Sequence, residues 1–169
     1  MKELPNLDAY RPNVGICLLN KAGDVWLGQR PAPKGGKPLT HQWQMPQGGM
    51  DPGETPAQTA VRELAEETGV TSVRLLTMTP GWLVYDFPEE YRMRKKEKWL
   101  GQRQKWALML FDGEDSEIDL EAYDEPEFVT WRWAALEDMP ELVVPFKRGV
   151  YTALKESFLP LAEYIAKRA

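Results

Sequence analysis

Cysteine and histidine are nearly missing from this 169-residue chain: Cys17 and His41 are the only copies of each. A single cysteine rules out an internal disulfide and a thiolate metal cluster. A Cys/His or Ser/His nucleophile system would have to use these two residues, and neither sits in a motif. Cys17 lies in an apolar run, 14–19, and is expected to be a buried core residue. No run of about 18 apolar residues is present, so no membrane span is expected. The first residues, Met-Lys-Glu-Leu-Pro-Asn-Leu-Asp, lack the apolar core of a signal peptide, and the expectation is a cytoplasmic protein.

What is present reads as one globular domain. Hydrophobic residues make up 43% and charged residues 28%, close to ordinary usage for a chain that can bury a sound core. The net charge of −5 argues against a surface that coats nucleic acid, and no DNA partner is expected. The charge is unevenly spread, however. Residues 91–105 hold seven bases against one acid, whereas 112–127 hold nine acids and no base. Such runs are commonly solvated loops, but a basic loop beside an acidic helix also suits an anionic substrate.

Alternation and turn residues predict strands at Tyr10–Leu19, 24–30, 72–78, 82–87, 102–111 and 127–133, with a short extended piece at 43–46. Residues 31–40, rich in proline and glycine, and the basic stretch 88–100 are expected to be loops, and 134–139 a short helical turn. From Pro145 the spacing of Phe146, Val150, Leu154 and Phe158 predicts an amphipathic helix, kinked or restarted at Pro160. Strands interleaved with two helices predict a mixed sheet packed between helices, an α/β class.

The chemistry concentrates in 48–70. Thr55 is a good N-cap, Pro56 suits the first helical position, Thr55-x-x-Gln58 makes a capping box and Gly69 a left-handed stop. Ala57, Ala60, Val61, Leu64 and Thr68 fall on one face of this helix and are expected to meet the core. Glu63, Glu66 and Glu67 fall on the other, the first and last one turn apart. Like charges so placed repel unless a cation lies between them, and an all-oxygen set suits Mg²⁺ or Mn²⁺ better than zinc. Arg62 and Glu54 are placed to brace the preceding loop by an ion pair. Residue spacing alone leaves a solvated acidic face as the plainer alternative.

The order Gly48, Glu54, Arg62-Glu63-Leu64-Ala65-Glu66-Glu67-Thr68-Gly69-Val70 resembles the signature of the Nudix hydrolases at every defined position. The resemblance implies an α/β/α sandwich with a mixed sheet, box glycines at Gly48, Gly53 and Gly69, and hydrolysis of a phosphoanhydride in a nucleoside diphosphate derivative. It implies a catalytic set of Glu63, Glu66, Glu67, Arg62 and Glu54, with divalent metal on the three helix glutamates. Further segments, Tyr10-Arg-Pro-Asn-Val-Gly15, Trp43-Gln-Met-Pro-Gln-Gly-Gly49, Gly101-Gln-Arg-Gln-Lys-Trp106 and Phe146-Lys-Arg148, are similar to the bacterial branch that acts on RNA 5′ ends and dinucleoside polyphosphates. By that likeness the domain spans 9–157, with a helical tail at 158–169. Arg11, Gln102 and Lys147 would contact the 5′ phosphates, Phe146 would stack on a base with Tyr85 in the same channel, and Glu127 would be a further metal ligand. Each has a plainer alternative: Arg11 a strand-edge ion pair, Phe146 a core residue, Glu127 part of the acidic loop.

The implied reaction converts a 5′ triphosphate to a 5′ monophosphate with release of pyrophosphate, a step that starts mRNA decay. The alternatives are hydrolysis of diadenosine tetra- or pentaphosphate to give ATP, and a Nudix module that binds nucleotide without catalysis. The chain departs from the branch pattern in a longer loop at 31–40, in the detail of 88–100, and in Gln42, which stands where a small hydroxyl residue can meet RNA. Protein partners are not legible.

Overall fold

The structure, a computed structural model, describes residues 5–32, 34–36, 42–123 and 125–169; His41 and parts of the 31–40 loop lie outside them. Among the described residues eight strands form one mixed sheet: β1 (Tyr10–Leu19), β2 (Val25–Gln29), β3 (Trp43–Gln44), β4 (Gln47–Gly49), β5 (Val73–Met78), β6 (Leu83–Asp86), β7 (Gly101–Phe111) and β8 (Thr130–Ala134). The long strands β1 and β7 run parallel along their whole shared length, Tyr10 opposite Gly101 through Leu19 opposite Leu110. Around this spine the pairing is antiparallel and divided by strand end. At its start β1 pairs β4, and at its far end β2. In the same way β7 pairs β6 at its start and β5 further on. Short strands therefore gather where β1 and β7 begin, and that end carries the polar side chains described below.

Side-chain alternation along the spine builds two cores. Val14, Ile16 and Leu18 of β1 join Ala107, Met109 and Phe111 of β7 beneath helix α1 (Pro56–Thr68). Cys17 and Leu19 join Trp106 and Leu108 on the opposite face, where helix α4 (Arg148–Arg168) packs through Val150, Tyr151, Leu154, Phe158 and Ala162. Cys17 is fully buried, as expected for a structural thiol. The layers are helix, sheet and helix, the α/β/α arrangement implied by the sequence.

Several expectations need correction. Residues 88–100 contain a helix, α2 (Glu89–Lys95), whose acids lie in its first turn and bases in its last, each matching the helix dipole. Tyr91 anchors it by packing on Phe87, ring centroids 4.9 Å apart. β4 was not anticipated, because its three residues become a strand only through pairing with β1. On α1, Val61 is half exposed and Thr59 takes the buried place, since the Thr59 hydroxyl bonds Thr55 O and Glu54. The strand expected over 127–133 is confined to β8, so Glu127 lies in the loop before it. The turn at 134–139 extends into α3 (Met139–Leu142). α4 continues through Pro160 without a restart, following a 3-10 turn at Pro145–Lys147.

One long-range bond ties α4 to the site end. The buried Met45 N–H donates to the Tyr151 hydroxyl at 2.8 Å, across 106 residues of chain. Tyr151→Phe leaves that N–H without a partner, and urea unfolding is expected to show about 1–2 kcal/mol lost stability.

Candidate active site

The helix carrying the acids is fixed at both ends by local chemistry. The Thr55 hydroxyl accepts from Gln58 N–H at 3.2 Å and the Gln58 side chain accepts from Thr55 N–H at 2.9 Å, so the capping box is complete. Gly69 takes φ +74° and closes the helix with its N–H on Ala65 O, and Gly53 turns the preceding loop at φ +81°.

Arg62 locks this helix to that loop. Its Nε and Nη2 form a two-point pair with the Glu54 carboxylate at 2.9 and 2.8 Å, and Nη2 also donates to Gly49 O at 2.9 Å. Nη1 turns to Glu63 at 2.9 Å and to Glu66 at 3.3 Å. Paired this way, Glu54 is held down at a pKa of about 2, chiefly by the Arg62 hydrogen bonds. The brace foreseen between Arg62 and Glu54 is present and reaches two of the helix acids as well.

Glu63 and Glu67 turn toward β4. The Glu63 carboxylate occupies the space where a side chain on Gly48 would stand, so any larger residue at that position of the strand would displace it. Glu67 accepts from Gln47 N–H at 3.3 Å. Glu63, Glu66 and Glu67 of the helix and Tyr123, Glu125 and Glu127 of the acidic loop line a common cavity of about 260 Å³. Arg30 pairs with Glu127 at 3.2 Å, but Glu67 has no cationic partner among the described residues. Its pKa is pushed well above the ordinary carboxyl value by burial, then by the charges of Glu127 and Glu63.

These residues test whether a divalent cation fits. Among the described residues no three acidic, histidine or cysteine side chains already converge as a ready-made coordination shell. The donor chemistry nevertheless suits one: all the acidic donors lining the cavity are carboxylates, and no lysine or arginine lines it among the described residues.

Beside Glu67, the side chain of Gln47 leads into a polar row at the start of β7. The Gln47 amide donates to Gln102 at 3.4 Å, and Gln104 donates to Asn13, Gln47 and Gln102 at 3.0–3.2 Å. Lys147 is buried over this row, and its Nζ donates to Gln44 at 3.3 Å and to Gln47 at 3.4 Å. Burial, and next Arg30, lower its pKa to about 8. Its ammonium lies 5.8 Å from the Tyr85 ring, and Phe146 packs on the same ring at 5.8 Å. Lys147, Gln102, Tyr85 and Phe146 are thus brought together. Phe146 is only partly buried and lines a pocket of about 520 Å³ next to the carboxylate cavity, with Arg30 lying between the two.

Arg11 is placed differently. It is the register partner of Gln102, but its exposed guanidinium turns to Gly49 and opens on a third pocket, of about 530 Å³, with Trp82, Trp99 and Arg103. No carboxylate pairs with it among the described residues, so the strand-edge ion pair is not formed.

Sequence reasoning missed Arg30, Gln44, Gln47 and Glu125. Gln44 and Gln47 stand three apart across Pro46, a spacing that brings two amides to one side of a kinked strand. Arg30 and Glu125 carried no local signal.

Comparison with known proteins agrees with this architecture. The NUDIX domain family model matches residues 9–154. A Caulobacter vibrioides protein named RNA pyrophosphohydrolase is 53% identical over 153 residues, covering 88% of this chain and 86% of that one. A Bradyrhizobium protein of the same name is 48% identical, covering 90% and 94%. Among solved structures, an E. coli dihydroneopterin triphosphate pyrophosphohydrolase superposes with a TM-score of 0.64 at 17% identity, covering 88% of this chain and 98% of that one. A C. elegans Ap4A hydrolase superposes with a TM-score of 0.59 at 21% identity, with the same coverage. These two likenesses concern the fold. On the family match and the curated relatives, this chain belongs to the Nudix family.

Proposed function

We propose that this chain is an RNA pyrophosphohydrolase: it cleaves a 5′ triphosphate to leave a 5′ monophosphate and release pyrophosphate, and removes phosphate from ends already reduced to a diphosphate. The observation that carries the reading is the order of the site. An acidic cavity lies next to a buried lysine in a row of amides, and that row adjoins a pocket of cations and aromatic rings. A polyphosphate followed by a nucleoside presents the complementary sequence of groups. Names carried by relatives 46–53% identical over most of the chain support the same reading.

Glu63, Glu66 and Glu67, with Glu127, would hold a divalent cation, Mg²⁺ or Mn²⁺. When bound it offsets phosphate charge and makes the attacking water more acidic. The chain's own residues do the rest. Arg62 and Glu54 keep the acid-bearing helix against its loop, which fixes where the carboxylates point. Lys147 holds a phosphoryl oxygen with the donor valence left after its two glutamine contacts, Gln102 fixes the amide row beneath it, and Arg11 takes the distal phosphate. Phe146 and Tyr85 hold the base by stacking, which tolerates any base. We place the hydrolase unit at 9–157, with 158–169 as its tail, in the cytoplasm.

A second reading has its own observation. The pocket beyond Arg11 carries Trp82, Trp99 and Arg103, a setting for the second base of a dinucleoside polyphosphate. Rates on a triphosphorylated RNA and on diadenosine tetraphosphate, measured side by side, separate the two. We expect kcat/KM to favour RNA; a preference for the dinucleotide by orders of magnitude would overturn that choice.

Lys147 supplies a pH test. Below about 8 its amine is charged and attracts phosphate, whereas above that it becomes neutral. Because kcat/KM reports groups of the free enzyme, it is expected to fall as pH rises through about 8. Lys147→Gln should lower kcat/KM at pH 7 by about 10- to 100-fold and remove that limb of the profile.

A further inference from the structure

The basic run 91–105 is divided by the fold. Lys98, Arg103 and Lys105 lie over the rings of Trp99 and Trp82. Arg94 and Lys95, on the last turn of α2, line the 520 Å³ pocket that Phe146 enters, with the Arg94 guanidinium also 5.8 Å from the centre of the Tyr91 ring. Lys34 and Arg30 line it from the opposite loop, and no acidic side chain among the described residues does. Arg30 is engaged with Glu127, while Lys34, Arg94 and Lys95 have no carboxylate partner among the described residues. Cations lining one pocket repel one another unless an anion lies between them. α2 owes its position to Tyr91, which packs on Phe87 at 4.9 Å and on Phe146 at 5.7 Å. The end of α2 that bears Arg94 and Lys95 is thereby set beside the ring assigned to a base. Gln42 lines the same pocket.

We infer that Lys34, Arg94 and Lys95 form a track for the phosphodiester backbone of single-stranded RNA that continues 3′ of the base held at Phe146. The inference rests on the RNA-end reading above and deepens it: the substrate is a strand extended beyond its first two nucleotides, gripped by its chain as well as its end. Cations interleaved with aromatic rings suit single-stranded nucleic acid, in which each phosphate is followed by a base that stacks. A dinucleoside polyphosphate has no phosphodiester to place on the track.

The test pairs turnover with binding. Substrates are a triphosphorylated dinucleotide and a triphosphorylated single-stranded 10-mer, and the binding probe is a 3′-fluorescein 10-mer with a 5′ monophosphate, followed by anisotropy. For Arg94→Ala/Lys95→Ala, kcat/KM on the 10-mer is expected to fall about tenfold through KM, with a change of twofold or less on the dinucleotide. The probe should bind about tenfold more weakly, and the slope of log affinity against log salt should flatten by about 1.4, two released contacts on a single strand. Lys21→Ala/Lys167→Ala, which removes two exposed charges elsewhere on the surface, controls for net charge. Equal losses on both substrates, unchanged probe binding, or equal competition by polyglutamate of matched charge would each overturn the track. If wild type binds the probe through these residues but turns over neither RNA, the track stands and the assignment of the reaction falls.

Discussion

Glu67→Gln is expected to abolish turnover, lowering kcat on the order of 10³-fold, about 4 kcal/mol of transition-state stabilisation, while the fold persists. The side chains are nearly isosteric, and the amide can still accept from Gln47 N–H. What disappears is the charge, and stability shows its role independently of activity. A carboxyl whose folded pKa is raised lets the native state hold its proton more tightly than the unfolded chain does. Its contribution to stability is complete below the ordinary carboxyl range and is lost as pH rises through the raised value. Above the ordinary carboxyl range, without metal, wild type therefore bears a cost at Glu67, from burial first and then from the charges of Glu127 and Glu63, that the amide does not, and Glu67→Gln is expected to melt at or above the wild-type temperature. Added Mg²⁺ or Mn²⁺ should raise the wild-type melting temperature and have little effect on the variant. Undiminished turnover in Glu67→Gln would remove the acidic helix from the reaction.

Gly48→Ala is expected to cost about 100-fold or more in kcat without touching a charged group. The added methyl would stand where the Glu63 carboxylate lies, and β4 cannot retreat because Gly48 pairs with Val14 of the spine. Glu63 must swing out, losing its 2.9 Å bond to Arg62 and its place in the cavity. Circular dichroism and the urea midpoint should change little by comparison. Shortening the displaced acid in Gly48→Ala/Glu63→Asp makes room for the methyl and is expected to recover part of the activity. If Gly48→Ala alone were fully active, the position of the Glu63 carboxylate would not depend on the glycine.

The parts of this protein that were legible from sequence are those made by local chemistry. The ends of α1 follow from Thr55, Pro56, Gln58 and Gly69, all within one stretch of chain. β1 follows from its own apolar run and the turn residues after it, and came out with the expected bounds, Tyr10–Leu19. What escaped depends on partners distant in sequence. β4 is three residues long and exists because β1 pairs with it. α2 hides in a run of bases and is held by Tyr91 against rings from elsewhere in the chain. The site divides in the same way. The spacing of Glu63, Glu66 and Glu67 is visible on one helix, but their meeting with Glu125 and Glu127, and the approach of Lys147 to Gln47 across 100 residues, are made by the tertiary fold.

The most direct measurement follows the fate of the phosphates. RNA carrying a γ-labelled 5′ triphosphate is incubated with the protein and Mg²⁺, and the labelled product is resolved by chromatography. Label released as pyrophosphate, together with a 5′-monophosphate RNA end, is the expected result. Label released only as orthophosphate, or triphosphorylated RNA left intact under conditions where a dinucleoside polyphosphate is hydrolysed, would contradict the assignment.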